Sequence, residues 1–204
     1  MYVVPAISGG CYMFAGCTLF RSRLPRLASL FLVLASVFSG HVQADSYELV
    51  FLGKQDSDAW LGAEQGLTEA NHQGEFMGLG FSMKTLPVDG FTPDMTSDAI
   101  ALLIDGDSQQ VRDIIQSTSG LAVLNITNPD DGLRAACFAN GLHISPSQQM
   151  LADAENQWRQ AHPDSRAKAQ AWHPDFVKYA ARDLNKRFKA AYNREMNDHS
   201  WAGW

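Results

Sequence analysis

The sequence lacks the short motifs that mark several common classes of enzyme. It contains no Gly-x-Ser-x-Gly nucleophile elbow, no phosphate-binding glycine loop and no His-x-x-x-His pair that would set two metal ligands on one helical turn. The pair Gly78-Leu79-Gly80 lacks the third glycine of a dinucleotide-binding fingerprint. We therefore expect a protein that is not an enzyme, with no catalytic residues, no metal site and no cofactor.

Positive charge and cysteine are also scarce after residue 44. Residues 45–204 carry 13 Lys and Arg against 22 Asp and Glu, a net charge of −9, which argues against nucleic acid as a partner. Two of the three cysteines, Cys11 and Cys17, lie near the N-terminus, so Cys137 has no partner for an intrachain disulfide. We expect Cys137 to be a small buried side chain.

The apolar run at residues 30–38 is too short to cross a membrane, because a spanning helix needs about 20 apolar residues. Three arginines precede it, and the tripeptide Val42-Gln43-Ala44 has the small residues that signal peptidase prefers. Residues 1–44 are therefore predicted to be a signal peptide. The rest of the chain is expected in the periplasm.

Apolar strands alternate with helical patterns from residue 45 onwards. Runs at 47–52, 81–86, 99–104 and 121–126 predict four strands, and apolar spacing predicts helices after the first and third. Such alternation predicts a parallel sheet with helices on both faces, a three-layer Rossmann-like or flavodoxin-like α/β lobe. We assign residues 45–160 to this lobe, and residues 161–204 to a linker and a C-terminal helical segment.

Two later helices complete the predicted elements. One begins after Ser147, and its apolar side is formed by Met150, Leu151, Ala154 and Trp158. The other is predicted over residues 174–192, with an apolar stripe of Val177, Ala181, Leu184, Phe188 and Ala191. Basic residues recur on the other faces of this last helix, and we expect them to be solvated.

Polar side chains follow the third and fourth predicted strands. In open α/β sheets small ligands bind outside the carboxyl ends of the strands, so side chains at these positions are candidates for ligand contacts. The predicted ligand-binding residues are Asp105, Ser108, Asn125, Thr127 and Asn128. The alternative is structural: the Asn128-Pro129 turn closes a strand, and Asp107 or Ser108 caps a helix.

Residues 121–204 also carry a set of composite motifs. They are Asn125, Asp130-Asp131, Leu133-Arg134, Cys137, Ala139-Asn140, His143, Pro146-Ser147, Met150, Ala152-Asp153-Ala154, Trp172-His173-Pro174, Leu184-Asn185, Arg187-Phe188, Met196 and Trp201-Ala202-Gly203-Trp204. This set resembles the substrate-binding proteins of ABC transporters associated with pyrroloquinoline quinone (PQQ)-dependent alcohol catabolism, a subgroup of the type I periplasmic binding proteins. The resemblance implies a solute-binding component of an importer, with an ABC permease as partner and a small organic solute linked to alcohol oxidation.

The chain departs from that family in one respect. Family members close two α/β lobes around the solute, whereas only one lobe is recognised here. A single lobe leaves its ligand open to water on one side, which predicts weak binding. The alternative is a non-catalytic accessory protein, or an eroded receptor, that docks through the face vacated by the second lobe. Its partner would be a second copy or a two-lobed relative.

Overall fold

Five short strands carry the most apolar stretches of residues 45–204, the part of the chain that the computed structural model describes. They are β1 (Asp45–Leu52), β2 (Leu79–Leu86), β3 (Ala99–Ile104), β4 (Ala122–Asn125) and β5 (Gly141–His143). Every neighbouring pair is parallel, and the strand order is β2-β1-β3-β4-β5. This is the flavodoxin-like order, and it confirms the predicted parallel α/β sheet. The predicted signal peptide lies outside the described residues.

Within the same residues, six α-helices connect and cover the strands. They are α1 (Asp58–Gly74), α2 (Ser108–Ser117), α3 (Asp131–Ala135), α4 (Gln148–Ala161), α5 (Ala181–Tyr192) and α6 (Asp198–Gly203). Two 3-10 turns, Glu75–Met77 and Pro93–Thr96, lie on either side of β2. None of the described helices is long and apolar enough to cross a membrane.

The two faces of the sheet are covered by different helices. The crossover through α1 runs from β1 to β2. The crossover through α2 runs from β3 to β4, which is the opposite direction across the sheet. Right-handed connections therefore place α1 and α2 on opposite faces. On the α2 face, Val111, Ile115 and Leu133 pack against strand residues such as Leu52 and Ile104. On the α1 face, the buried cluster is Phe51, Ala59, Ala63, Leu103, Ile126 and Ala202.

The C-terminal helices pack against α1 and share its apolar clusters. Leu184 and Phe188 of α5 pack with Leu61 of α1 and with Met196. The contact between α1 and α6 is closer still, because a methyl group on Gly62 would overlap the Ser200 carbonyl, and one on Gly203 would overlap the Ala59 carbonyl. Glycine is required at both positions because backbone meets backbone there.

The C-terminal tryptophans have partners in this arrangement. Trp201 packs against both the α1-face cluster and the cluster around Phe188. The Trp204 indole donates a hydrogen bond of 3.1 Å to Glu69 of α1. Trp201 is thus packed against two clusters, whereas Trp204 is 45% exposed, and the alternative of an eroded receptor stays a prediction.

The last long helix starts later than the sequence suggested. It begins at Ala181, whereas the prediction was residue 174. The preceding residues are held by Asn185, whose side chain accepts from the Trp172 indole and donates to the Pro174 carbonyl, and Tyr179 and Ala180 have φ values of 52° and 66°. These left-handed residues interrupt the helical path, so Val177 lies outside the helix and is exposed.

Three other expectations differ from the structure. Cys137 was expected to be buried but is exposed, because it lies in a turn with φ of 49°. Strand β5 and the short helices α3 and α6 were not predicted, since segments of three to six residues carry little periodic signal. Helix α4 forms where it was predicted, but none of its residues is buried.

Candidate functional site

The carboxyl ends of β1, β3, β4 and β5 are aligned at one edge of the sheet. In the strand pairing Leu52 lies opposite Ile104, Ile104 opposite Asn125, and Asn125 opposite His143. The connection after β1 leads to β2 on one side of the sheet, and the connection after β3 leads to β4 on the other side. Ligands of open α/β folds usually bind between two such strands. The residues that follow these strand ends are therefore candidates for a ligand-binding site.

The carboxylate of Asp105 is held where β1, β3 and β4 end. Ser57, the N-cap of α1, donates from Oγ to Asp105 Oδ2 at 3.0 Å. Thr127 donates from Oγ1 to Asp105 Oδ1 at 2.9 Å. Each carboxylate oxygen thus has one hydroxyl donor. The Asp105 side chain is held between the segment that follows β1 and the segment that follows β4.

Asn125 and Asn128 form a second hydrogen-bonded group beside the first. Asn125 is fully buried, and its Nδ2 donates to the Asn128 carbonyl at 2.8 Å, while its Oδ1 accepts from the Asn128 amide at 2.9 Å. Asn128 in turn accepts from the Ser108 hydroxyl at 3.3 Å and donates to the Gly106 carbonyl at 3.1 Å. The loops after β3 and β4 are joined by these bonds.

All five predicted ligand-binding residues therefore meet at one edge of the sheet, although much of their hydrogen-bonding capacity is used within the protein. The structural alternatives are confirmed: Asp107 caps α2 with a complete capping box, and the asparagines close the turn after β4. Ser108 starts the helix and does not cap it. A ligand-binding role for the five residues stays a prediction.

A cavity of about 470 Å³ lies at the same edge, beyond β5. It begins at His143, whose Nδ1 is 3.0 Å from Asn125 Nδ2, so the cavity adjoins the second hydrogen-bonded group. Residues of the β5–α4 loop, of α4 and of the C-terminal segment form the walls. They are Arg134, His143, Ile144, Ser145, Pro146, Met150, Leu151, Ala154, Ala169, Gln170, Ala171 and Trp201.

Arg134 of α3 supplies the charge of this cavity. Its Nη2 donates to the Ser145 carbonyl, and Ser145 itself donates from its hydroxyl to the Ile126 carbonyl. Its Nη1 is buried and has no hydrogen-bond partner. A buried donor without a partner is unfavourable by about 1–3 kcal/mol, so this atom is an unusual feature of the site.

The pKa of His143 is lowered, which favours the neutral form of its imidazole. Burial is the main cause that lowers its pKa, and the positive charge of Arg134 lowers it further. A hydrogen bond with the Leu133 backbone acts in the opposite direction but is weaker. Because an Asn Nδ2 is always a donor, His143 Nδ1 accepts the bond from Asn125, which also requires an unprotonated nitrogen there.

A second cavity, of about 420 Å³, opens on the α1 face of the sheet. Its lining is almost entirely apolar and includes Phe81, Ile100, Leu103 and Trp204. It contains no side chain that would orient a polar solute. Within residues 45–204, moreover, no group of three His, Cys, Asp or Glu side chains is arranged to hold a metal ion.

Sequence reasoning did not identify Arg134, His143 or Ser57 as site residues. Arg134 and His143 were noted only as parts of the family-like motifs. The missing signal is β5, because a strand of three residues cannot be recognised from an apolar pattern, and without it His143 has no place at a strand end. Ser57 is the N-cap of α1, and its bond to Asp105 depends on the pairing of β1 with β3, which no local pattern reports.

Comparison with known proteins supports the fold. No family profile and no curated protein matches the chain. Two solved structures are similar to it: an ABC transporter substrate-binding protein from Desulfitobacterium hafniense, with a TM-score of 0.54, and such a protein from the same organism in complex with Leu, with a TM-score of 0.56. Each is 11% identical, and the match covers 78% of this chain and 80% of the other.

At this level of identity the similarity establishes the fold. The chain has the α/β fold of an ABC transporter substrate-binding protein, as the sequence predicted. The comparisons do not connect the chain with alcohol oxidation, so that part of the family resemblance stays a prediction.

Proposed function

We propose that the chain is a solute-binding component of an ABC-type importer. The observation that carries the proposal is the cavity of about 470 Å³ at the carboxyl ends of β4 and β5, in direct contact with a hydrogen-bonded polar group. Concave sites of this size, with apolar walls and a few polar groups, suit small organic molecules. The similar solved structures are substrate-binding proteins, and one of them holds leucine.

The chain would act in the periplasm and pass its solute to an ABC permease. His143 and Arg134 line the cavity and would contact the solute there. None of the five residues predicted from the sequence lines it, so solute contacts at Asp105, Ser108, Asn125, Thr127 and Asn128 stay a separate prediction. The strands of residues 45–204 form one sheet, so these residues provide a single α/β lobe. We therefore expect dissociation constants well above those of clamshell receptors, because closure adds contacts that an open lobe does not have.

The test is a thermal melt of the full chain with millimolar solutes. The panel contains short alcohols, aldehydes and carboxylates, as the resemblance to alcohol-catabolism proteins suggests, together with amines, sugars and amino acids including leucine. A solute present at 100 times its dissociation constant should raise the free energy of unfolding by about 2.7 kcal/mol. If none of these solutes shifts the melt, the proposal is wrong.

A matched pair of variants locates the binding. Ala154 of α4 lines the cavity, whereas Ala152 is on the same helix, is also exposed and does not line it. Ala154→Trp should fill the cavity and abolish the shift, and Ala152→Trp should leave the shift unchanged. Equal shifts in both variants would place the solute elsewhere.

A second function is favoured by the surface of α4. No residue of this helix is buried, and Met150 and Trp158 on its apolar side are 56% and 50% exposed. Exposed apolar stripes of this kind are often interaction surfaces. An accessory protein would cover α4 with a second copy of the chain, and sedimentation equilibrium would then show a dimer that Trp158→Glu converts to a monomer. A monomer at high micromolar concentration would contradict this second function.

A further inference from the structure

We infer that the cavity beside β5 binds a small organic carboxylate, with Arg134 holding the anionic group and the apolar walls holding the rest of the molecule. The inference rests on the proposed solute-binding function and names the class of solute.

Arg134 is the one charged side chain among the described residues that line the cavity. With His143 neutral, no second cation and no carboxylate accompanies it in the lining. A single positive charge in a lining without carboxylates favours an anionic group over neutral and cationic ones.

The guanidinium of Arg134 also has bonding capacity left over. Of its two terminal nitrogens, Nη2 is bonded to the Ser145 carbonyl and Nη1 is buried without a partner. The ion pairs found in residues 45–204 involve six other basic side chains, namely those of Lys168, His173, Arg182, Arg187, Lys189 and Arg194. A carboxylate fits the planar fork of a guanidinium, so an anionic solute that meets Arg134 in the cavity has a matched hydrogen-bond partner there.

The walls away from Arg134 are apolar. Met150, Leu151 and Ala154 of α4 form one side, and Trp201 faces them from α6. A solute of four to six carbon atoms with a carboxylate at one end would bury its carbon chain against these side chains. This arrangement offers no acidic partner for an ammonium group, so an amino acid should bind more weakly than the acid without its amino group.

The experiment is isothermal titration calorimetry of the full chain with three probes of matched shape. They are 4-methylpentanoate, its neutral amide 4-methylpentanamide, and leucine. We expect the acid to bind at least about 10-fold more tightly than the amide, a difference of about 1.4 kcal/mol. Leucine should lie between them or below both. Equal affinity for the acid and the amide would overturn the inference and leave the proposed function intact.

Variants assign the selectivity to Arg134. Arg134→Gln should reduce the ratio of acid to amide affinity to about one while the amide affinity stays the same, which a merely structural role would not do. The matched control is Arg159→Gln, since Arg159 is an exposed arginine of α4 that does not line the cavity. An unchanged ratio in Arg134→Gln would overturn the inference. If that variant fails to fold, the acid-to-amide ratio of the unmodified chain still decides.

The failure of the inference can be told apart from failure of the proposed function. If another solute of the wider panel binds, and Ala154→Trp abolishes that binding while the acid shows none, only the carboxylate inference is wrong. If no solute binds at all, the proposed function fails and the inference fails with it.

Discussion

Helices α1 and α4 each start at a serine N-cap after the carboxyl end of a strand, yet they have opposite surroundings. Along α1, five other residues are buried besides Gly62, and α6 approaches so closely that two glycines are required. Along α4, no residue is buried and the apolar side faces a cavity or solvent. The first helix is held mainly by packing, whereas the second is held by its cap and by polar contacts such as those of Glu155 with Lys168 and the Ala169 amide.

This difference separates the stabilising part of the molecule from the part available for binding. Tight packing fixes one conformation but leaves no space for a ligand. An apolar helix side that is not covered lowers stability and at the same time supplies the wall of a site. Chemically equivalent substitutions should therefore change the free energy of unfolding more in the packed region than along α4.

The largest effect is expected at the contact of α1 with α6. Gly62→Ala places a methyl group on the Ser200 carbonyl, and a backbone atom cannot rotate away as a side chain can. We expect a loss of more than about 4 kcal/mol, in the range reserved for severe overpacking and strain. Urea denaturation measures the loss.

A glycine in open surroundings provides the control for Gly62. The nearest atom to a methyl group on Gly80 of β2 would be the Asp45 carbonyl oxygen, at 3.9 Å. Gly80→Ala should therefore change the free energy of unfolding by less than about 1 kcal/mol. Comparable losses in the two variants would show that α6 is not packed as described.

The sequence predicted most of the elements of the packed region and fewer of those around α4 and its cavity. Strands β1 and β3 were located because each contains a mainly apolar run of six residues, and helices α1 and α2 because apolar residues recur at helical spacing in both. The role of Gly62 was not predicted. Its partner is Ser200, 138 positions away, and no local pattern in a sequence reports which backbone segments come together.

Two methionines provide the next test. Met196 is 1% exposed and packs with Leu61, Leu184 and Phe188, whereas Met150 of α4 is largely exposed. Met196→Ala should cost about 2–5 kcal/mol through lost contacts and an unfilled cavity. Met150→Ala should change stability by less than about 0.5 kcal/mol. If thermal and urea unfolding show similar losses, α4 is packed in solution and the contrast between the regions fails.

Asn125 tests whether the polar group at the sheet edge also contributes to stability. Its amide is fully buried, and Asn125→Ala would leave the Asn128 amide and the His143 nitrogen without their partner. The expected loss is about 2–3 kcal/mol, since each unsatisfied buried group is unfavourable by about 1–3 kcal/mol. Asn156→Ala on exposed α4 is the matched control and should lie within about 0.5 kcal/mol of the unmodified chain.

The residues of the candidate site also differ in how far the sequence could predict them. Asp105, Ser108, Asn125, Thr127 and Asn128 were predicted as ligand contacts because each lies at or after the end of a strand that is visible in the sequence. The cavity was not, because its walls come from α3, the three-residue strand β5, α4 and the C-terminal segment. Arg134 is recognisable as a site residue only when its unpaired nitrogen and its position beside His143 are known.

The smallest effect is a dependence of stability on pH that arises at His143. Its pKa in the folded chain is lowered from 6.5, chiefly by burial and then by Arg134. The unfolded chain therefore takes up this proton first as the pH falls, so the contribution to stability is complete above about pH 6.5 and is lost as the pH falls through the lower folded pKa. One proton limits the slope to about 1.4 kcal/mol per pH unit.

Urea unfolding at pH 8, 6.5 and 5.5 measures this slope, and His143→Gln should remove it. The packed region around α1 should contribute little to the pH dependence of stability between pH 8 and 5.5. Burial acts to raise the pKa of Glu69 on α1, but hydrogen bonds from Arg187, Gln65 and Trp204 together lower it below 4.5, so Glu69 stays ionised in both states until more acidic pH. A slope that persists in His143→Gln would assign the titration to another group. A bound carboxylate beside Arg134 should raise the His143 pKa and reduce the slope, which connects this measurement to the ligand.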